Sequence, residues 1–332
     1  MSQTLQGSTL LVTGATGSFG RALIGHVLDH HRAARVVAYS RDELKQYEAR
    51  RHFDDDPRLR WVIGDVRDRE RLLSAMRGVD HVVHAAALKQ VDTGESNPSE
   101  FVRTNVLGSQ NVVDAAIEAG VRKVVALSTD KACRPINLYG ATKLVADKLF
   151  IAANLQTADA EARFAVVRYG NVLGSRGSVV PFFRETGRAG KSLPITDKRM
   201  TRFWLGLDQA IRFVVESLDL MQGGELYVPR IPSMRIVDLA RAVVPDALMH
   251  EVGLRPGEKL HEEMIHPDDA ASVVRLGNRY IVQPTLGDAW DYRQPADAVP
   301  VPSGFSYCSD QNSQWLTADD LRTLLGPTGV LS

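Results

Sequence analysis

Short apolar runs alternate with longer amphipathic stretches through the first half of the chain. STLLVTG (8–14), RVVAYS (35–40), LRWVIGD (59–65), DHVVHAAA (80–87), KVVALST (123–129) and FAVVRYG (164–170) are rich in Val, Leu or Ala and bounded by glycine or polar residues. That pattern predicts strands. Residues 18–30, 42–53, 69–76, 99–119 and 137–154 carry the helical pattern between them. The alternation predicts an α/β fold, a Rossmann-type doubly wound parallel sheet covered by helices through right-handed crossovers. In such sheets ligands bind at the carboxyl ends of the strands, so chemistry is expected at the strand tips.

After residue 175 the rhythm breaks. Helical patterns at 178–188 and 207–219 and a strand at GELYVPRI (224–231) precede a Pro/Asp-rich segment at 284–300. Residues 1–175 are expected to form a nucleotide-binding domain, with 204–232 returning to it. Residues 176–203 and 233–332 are expected to form a smaller C-terminal substrate lobe over the strand tips. LTADDLRTLLG begins with a Thr-x-x-Asp variant of the capping box.

Composition narrows the classes. Lys plus Arg (40) equals Asp plus Glu (40), which gives no global bias toward nucleic acid. The two cysteines, Cys133 and Cys308, make neither a disulfide framework nor a zinc motif. The first residues lack a basic segment followed by an apolar core, and no run reaches the length of a membrane span. A cytoplasmic location, with no membrane partner, is the expectation. HEEMIH (261–266) invites a zinc reading, but Ile265 stands where HExxH needs histidine, so no metal site is expected.

TGATGSFG (13–20) follows the first strand and opens the first helix. Gly14, Gly17 and Gly20, with Ser18 and Phe19, suit a tight turn that lets backbone approach a pyrophosphate at a helix N-terminus. The second strand ends in Ser40 and Arg41 rather than an acid, with Lys45 one turn further. A hydroxyl and two cations suit a 2′-phosphate, which favours NADP over NAD. Asp42 is assigned to the helix N-cap. Asp65 and Val66 are placed to meet adenine. Ala85 and Ala86 leave room for ribose and nicotinamide, and Lys89 follows at hand for cofactor or substrate.

Tyr139 and Lys143 lie four apart on one predicted helix face. A nearby ammonium and a nicotinamide cation are expected to lower the tyrosine pKa, making it a base. Thr129 adds a hydroxyl at the fifth strand tip, directly before an adjacent acid and base, Asp130 and Lys131. Phe203 and Trp204 are expected in the core, and Cys133 as small filler.

TGxxGxxG, a Ser or Thr at the fifth strand and YxxxK resemble the extended short-chain dehydrogenase/reductases. SRDELKQYE, HAAALKQVD, ALSTDKA, PINLYGATKL, VRYGNVLGSRGSV, PITDKRMTRFW and RPGEKLHEEMI together resemble the configuration-inverting UDP-N-acetylglucosamine 4,6-dehydratases, from about 7 to about 325. The resemblance implies NADP, a UDP-sugar substrate and a homo-oligomer, dimer or hexamer. It implies that Tyr139, assisted by Lys143 and Thr129, serves oxidation at C4. Asp130 would be the acid for the 6-hydroxyl and Lys131 the base at C5, where retaining dehydratases carry Asp-Glu. Lys131 must be neutral to accept a proton; Lys89 or Lys143 would push its pKa down and ionised Asp130 would push it up. Asn171, the helix opening Val179, Val180, Pro181, Phe182 and Phe183, and Arg199, Arg255 and Glu258 are the expected substrate contacts. Cys133 and Arg134 stand where Ala and Asn are common in this group, and Asp92 and Ser96 where Pro and Tyr are common. A UDP-sugar C4 or C5 epimerase, or a non-catalytic NADP-sensing protein, could share the scaffold. The Asp130–Lys131 pair argues against a pure C4 epimerase, which needs no acid for O6.

Overall fold

The computed structural model describes residues 2–157, 161–174 and 179–325. Six parallel strands are built as the hydrophobic runs predict: β1 (Thr9–Thr13), β2 (Arg35–Ser40), β3 (Leu59–Ile63), β4 (His81–His84), β5 (Lys123–Thr129) and β6 (Arg163–Tyr169). They lie in the order β3-β2-β1-β4-β5-β6. Strand Leu226–Pro229 adds parallel to β6, and 279–282, 273–276 and 299–300 continue the sheet antiparallel. Val12, Val83, Val125 and Val166 are fully or almost fully buried, because helices cover both faces of a parallel sheet.

The chain order reverses between β1 and β4, which leave the sheet in opposite directions. That opens a crevice at their carboxyl ends. Helices α1 (Ser18–His30), α2 (Glu43–His52) and α3 (Arg69–Met76) form the first crossovers. Asp42 caps α2 by accepting from the Lys45 N–H at 3.0 Å, as expected. Helix Leu138–Gln156 starts the same way, with Asn137 Oδ1 accepting from the Gly140 N–H at 2.7 Å.

Two features differ from the sequence pattern. The run expected as one helix over 99–119 is broken by a π-helical turn, Val102–Leu107, between helices Pro98–Phe101 and Gly108–Glu118. Such turns often sit at functional sites, and here the extra residue turns Asn105 inward. The second difference concerns residues 233–332, expected wholly in the smaller lobe. Val273, Val274, Tyr280 and Ile281 instead pack into the main core, on strands inside the antiparallel end of the sheet. Those strands are four residues long, too short to show a clear period.

A second core gathers Leu173, Val180, Phe183, Leu193, Trp204, Met234 and Leu239 under helix Ala318–Leu325. Thr317 and Asp320 exchange the reciprocal bonds of the anticipated capping box, at 2.9 and 3.1 Å.

The turn after β5 shows what Arg134 costs the backbone. Arg134 has φ +44°, in the left-handed region that asparagine tolerates better than arginine. Its side chain is mostly exposed and reaches Glu263 only at 3.9 Å. Replacing Arg134 by glycine should therefore raise the free energy of unfolding by about 0.5–1 kcal/mol, net of glycine's entropy cost. Urea denaturation checks this; a loss of stability would contradict it.

Candidate active site

The glycine turn after β1 lies against the end of β4. Gly14 has φ +67°, and a Cβ there would stand 2.9 Å from the Ala86 nitrogen. Thr13 Oγ1 accepts the N–H groups of Ala85 (3.1 Å) and Ala86 (3.2 Å), so its own proton goes to His84 Nδ1, 2.8 Å away. Burial, with Lys143 adding to it, pushes the His84 imidazole down to about 3, keeping it neutral and able to accept. No side chain caps α1 at Gly17, so the first N–H groups of the helix remain open. A cavity of about 650 Å³ runs from this turn along the strand tips.

The cavity wall contains Gly14, Gly17, Ser18, Phe19, Gly20, Ser40, Arg41, Lys45, Asp65, Val66, Ala85, Ala86 and Lys89, every residue expected at the nucleotide. The glycines and alanines supply the clearance a dinucleotide needs, so the residues fit such a group. Ser40 Oγ accepts from Gln46 Nε2 at 2.9 Å, which leaves its O–H to donate outward. Asp42 is spent on the helix cap and on Lys45 Nζ at 2.6 Å. It is therefore a poor partner for a ribose hydroxyl, and Arg41 stands exposed beside it.

The far end of the same cavity contains Thr129, Lys131, Tyr139 and Lys143. Helix Leu138–Gln156 packs tightly on the turn that carries Asp130–Ala132: a Cβ on Gly140 would collide with the Lys131 carbonyl oxygen. Asn105 ties this helix to the loop after β4. It donates to the Leu88 carbonyl (2.9 Å) and to Thr142 Oγ1 (3.1 Å), and accepts from the Leu88 N–H (2.8 Å). Nothing in the sequence pattern marked Asn105, which sits within an ordinary helical run.

Electrostatics depart from expectation in two ways. Burial pushes Tyr139 up to about 12, against Lys131 and a hydrogen bond with Thr129, which lower it. The cation that lowers Tyr139 is Lys131, while burial depresses the ammonium of Lys143 itself. Lys131 is held between two buried carboxylates, with its Nζ 3.0 Å from Asp130 Oδ1 and 3.1 Å from Glu262 Oε1. Burial would depress its ammonium, but Asp130 and Glu262 outweigh burial and hold it above the ordinary lysine value. The principal opposing cation is Arg202, rather than the Lys89 or Lys143 expected. Burial raises the Asp130 carboxyl despite Lys131, and Glu262 adds to the rise. Glu262, from the segment that superficially resembled a zinc motif, was not anticipated as a site residue.

The remaining expected contacts divide. Asn171 and Val179 line the cavity. Val180 and Phe183 point into the second core, while Pro181 and Phe182 are exposed. Arg199 turns outward onto Asp197 at 2.7 Å. Arg255 faces Asp92 at 3.7 Å, so one departure from the family pattern meets one expected substrate residue. Glu258 binds Arg202 at 3.4 Å. Phe203 and Trp204 are buried in the core, as expected, although Trp204 borders the cavity. Burial pushes the Cys133 thiol up to about 12, which suits packing and not nucleophilic attack.

Comparison with known proteins identifies the family. The chain matches the family described as "Polysaccharide biosynthesis protein" over residues 10–284. It is 48% identical over 329 residues to a UDP-N-acetylglucosamine 4,6-dehydratase (inverting) of Campylobacter jejuni, covering 97% of this chain and 98% of the relative. It is 41% identical over 279 residues to a UDP-glucose 4-epimerase of Rickettsia akari, covering 82% of each. The solved structure of Pen from Bacillus thuringiensis superposes with a TM-score of 0.89 at 35% identity, covering 97% of this chain and 98% of that one. With the glycine turn, the Thr129–Tyr139–Lys143 group and these likenesses together, the chain belongs to the polysaccharide biosynthesis protein family of extended short-chain dehydrogenase/reductases.

Proposed function

We propose that this protein is an NADP-dependent UDP-N-acetylglucosamine 4,6-dehydratase that inverts C5 and yields a UDP-2-acetamido-2,6-dideoxy-L-arabino-4-hexulose. The observation that carries the reading is the Asp130–Lys131 pair beside Tyr139 at the tip of β5, with Lys131 Nζ 3.0 Å from Asp130 Oδ1. Removing water across C5 and C6 needs one acid and one base side by side.

A nicotinamide cofactor held by the Gly14–Gly20 turn would supply the hydride acceptor and donor for C4 and C6. Tyr139 accepts the proton of the C4 hydroxyl, and Thr129 orients the phenol. Burial holds Tyr139 at about 12 even with Lys131 and Thr129 lowering it, so it needs the further positive charge of an oxidised nicotinamide to act near neutral pH. The 4-ketone makes the C5 proton acidic. Lys131 removes it, and Asp130, whose carboxyl is raised by burial, protonates the departing 6-hydroxyl. A UDP-sugar C4 epimerase is the second reading, favoured by the Rickettsia akari relative. It leaves the buried acid at position 130 without a task.

Two expectations follow. With UDP-N-acetylglucosamine in deuterated water, the parent enzyme should lose water and carry deuterium at C5. Lys131→Ala should lower both by about 10²–10⁴-fold, the usual worth of a positioned base. Full C5 exchange in the variant would contradict the role given to Lys131. For the cofactor, Arg41→Ala should weaken NADP binding about tenfold, the worth of one charge-assisted bond, and leave NAD within about twofold. Calorimetric titration checks this; equal losses for both cofactors would remove the case for a 2′-phosphate site.

A further inference from the structure

The dehydratase reading leaves a difficulty in the charge of Lys131. A base must be neutral, yet this amine lies 3.0 Å from Asp130 and 3.1 Å from Glu262. Glu262 is given no role by the chemistry above, and its side chain is only 2% exposed. Its backbone is fixed on both sides by Ser309: the Glu262 N–H donates to Ser309 Oγ (2.9 Å) and its carbonyl accepts the Ser309 N–H (2.8 Å). A carboxylate so buried and so rigidly held must have its charge balanced.

We infer that Glu262 sets the number of protons on the Asp130–Lys131 pair by balancing the guanidinium of Arg202, whose Nε lies 3.6 Å from Glu262 Oε1. This rests on the dehydratase reading for its catalytic meaning, though not for its electrostatics. Arg202 stays protonated at any working pH. With Glu262 cancelling it, the Asp130–Lys131 pair must be neutral overall, and neutrality means one shared proton. The pair then has two forms, ammonium with carboxylate or amine with carboxylic acid. They interconvert by moving that proton from Lys131 Nζ to Asp130 Oδ1 across the existing hydrogen bond.

The second form is the reactive one. The amine lone pair takes the C5 proton, and the C5–H electrons form the C5–C6 double bond. The C6–O6 bond breaks as the carboxylic acid gives its proton to O6, and water leaves. Lys131 ends as ammonium and Asp130 as carboxylate, which is the first form again. Acid and base are thus created together and reset together, provided that the pair holds one proton.

Other charged groups facing the cluster do not replace Glu262. Glu258 meets Arg202 from the 255–260 loop but is partly exposed. Lys259, from the same loop, donates to the Cys133 carbonyl. His261 precedes Glu262 and pairs its Nδ1 with Thr201 Oγ1. Tyr139 hydrogen-bonds Thr129, which itself donates to Asp130 Oδ1 at 2.9 Å. The charge states agree with this arrangement: burial opposes ionisation of Glu262, but Lys131 and Arg202 keep its carboxyl below the ordinary glutamate value.

The test is Glu262→Gln in the full chain, with the opposite change, Arg202→Gln, beside it. Removing the carboxylate leaves Arg202 unbalanced, so the pair should shed its proton at lower pH, as amine and carboxylate. Competitive acetylation of Lys131, read by mass spectrometry against pH without substrate, should show its deprotonation moved down by at least about one unit. The alkaline limb of dehydration should move the same way, with KM for UDP-N-acetylglucosamine within about threefold of the parent. Arg202→Gln should move both upward. If Glu262→Gln does not fold, the upward shift in Arg202→Gln decides alone. Acetylation profiles that superpose on the parent's overturn the inference. A parent enzyme that releases no water from UDP-N-acetylglucosamine overturns the dehydratase reading instead, and acetylation still answers for Glu262.

Discussion

One lysine held between two buried carboxylates governs the catalytic end of this molecule. Lys131 comes from the turn after β5, and Glu262 comes from a segment far along the chain that completes the site from the other side. Two negative charges cannot be buried this deeply without cations beside them, and Lys131 and Arg202 are those cations. The same contacts tie the parallel sheet to the 255–265 segment and place the proposed acid, Asp130, and base, Lys131, within one hydrogen bond of each other. Fold and chemistry here depend on a single electrostatic balance.

The nucleotide end depends on steric clearance instead. β1 and β4 are paired neighbours at the reversal of strand order, and the Gly14 turn closes on the Ala85–Ala86 backbone with no space for a side chain. Thr13, oriented by the neutral His84, fixes that loop, and Asn105 fixes its continuation through Leu88. The loop therefore spans both ends: its start borders the glycine turn, and its continuation is bound to the helix carrying Tyr139 and Lys143. A shift in either core would be felt at both.

Much of this is legible in the sequence, and the physical reason is burial. Strands covered on both faces read as unbroken apolar runs, so β1, β2 and β4–β6 are evident, while β3 at the sheet edge is only partly buried. Local hydrogen bonding made the cap at Asp42 and the capping box at Thr317 equally evident. What escaped was set by tertiary contact. The antiparallel strands 273–276 and 279–282 are too brief to show a period, and the π turn at Val102–Leu107 follows an ordinary helical pattern. Glu262 looked like part of a failed metal motif, because only folding brings it to Lys131. Arg134, unexplained as sequence, occupies a left-handed backbone position where its side chain contributes little.

The proposed chemistry moves hydrogen from C4 to C6 within one sugar, whereas an epimerase returns it to C4. UDP-N-acetylglucosamine carrying deuterium at C4 separates the two by nuclear magnetic resonance of the product. The account predicts a 4-keto sugar with that deuterium in the C6 methyl group. Deuterium retained at C4 of a sugar that has kept its 6-hydroxyl would contradict it.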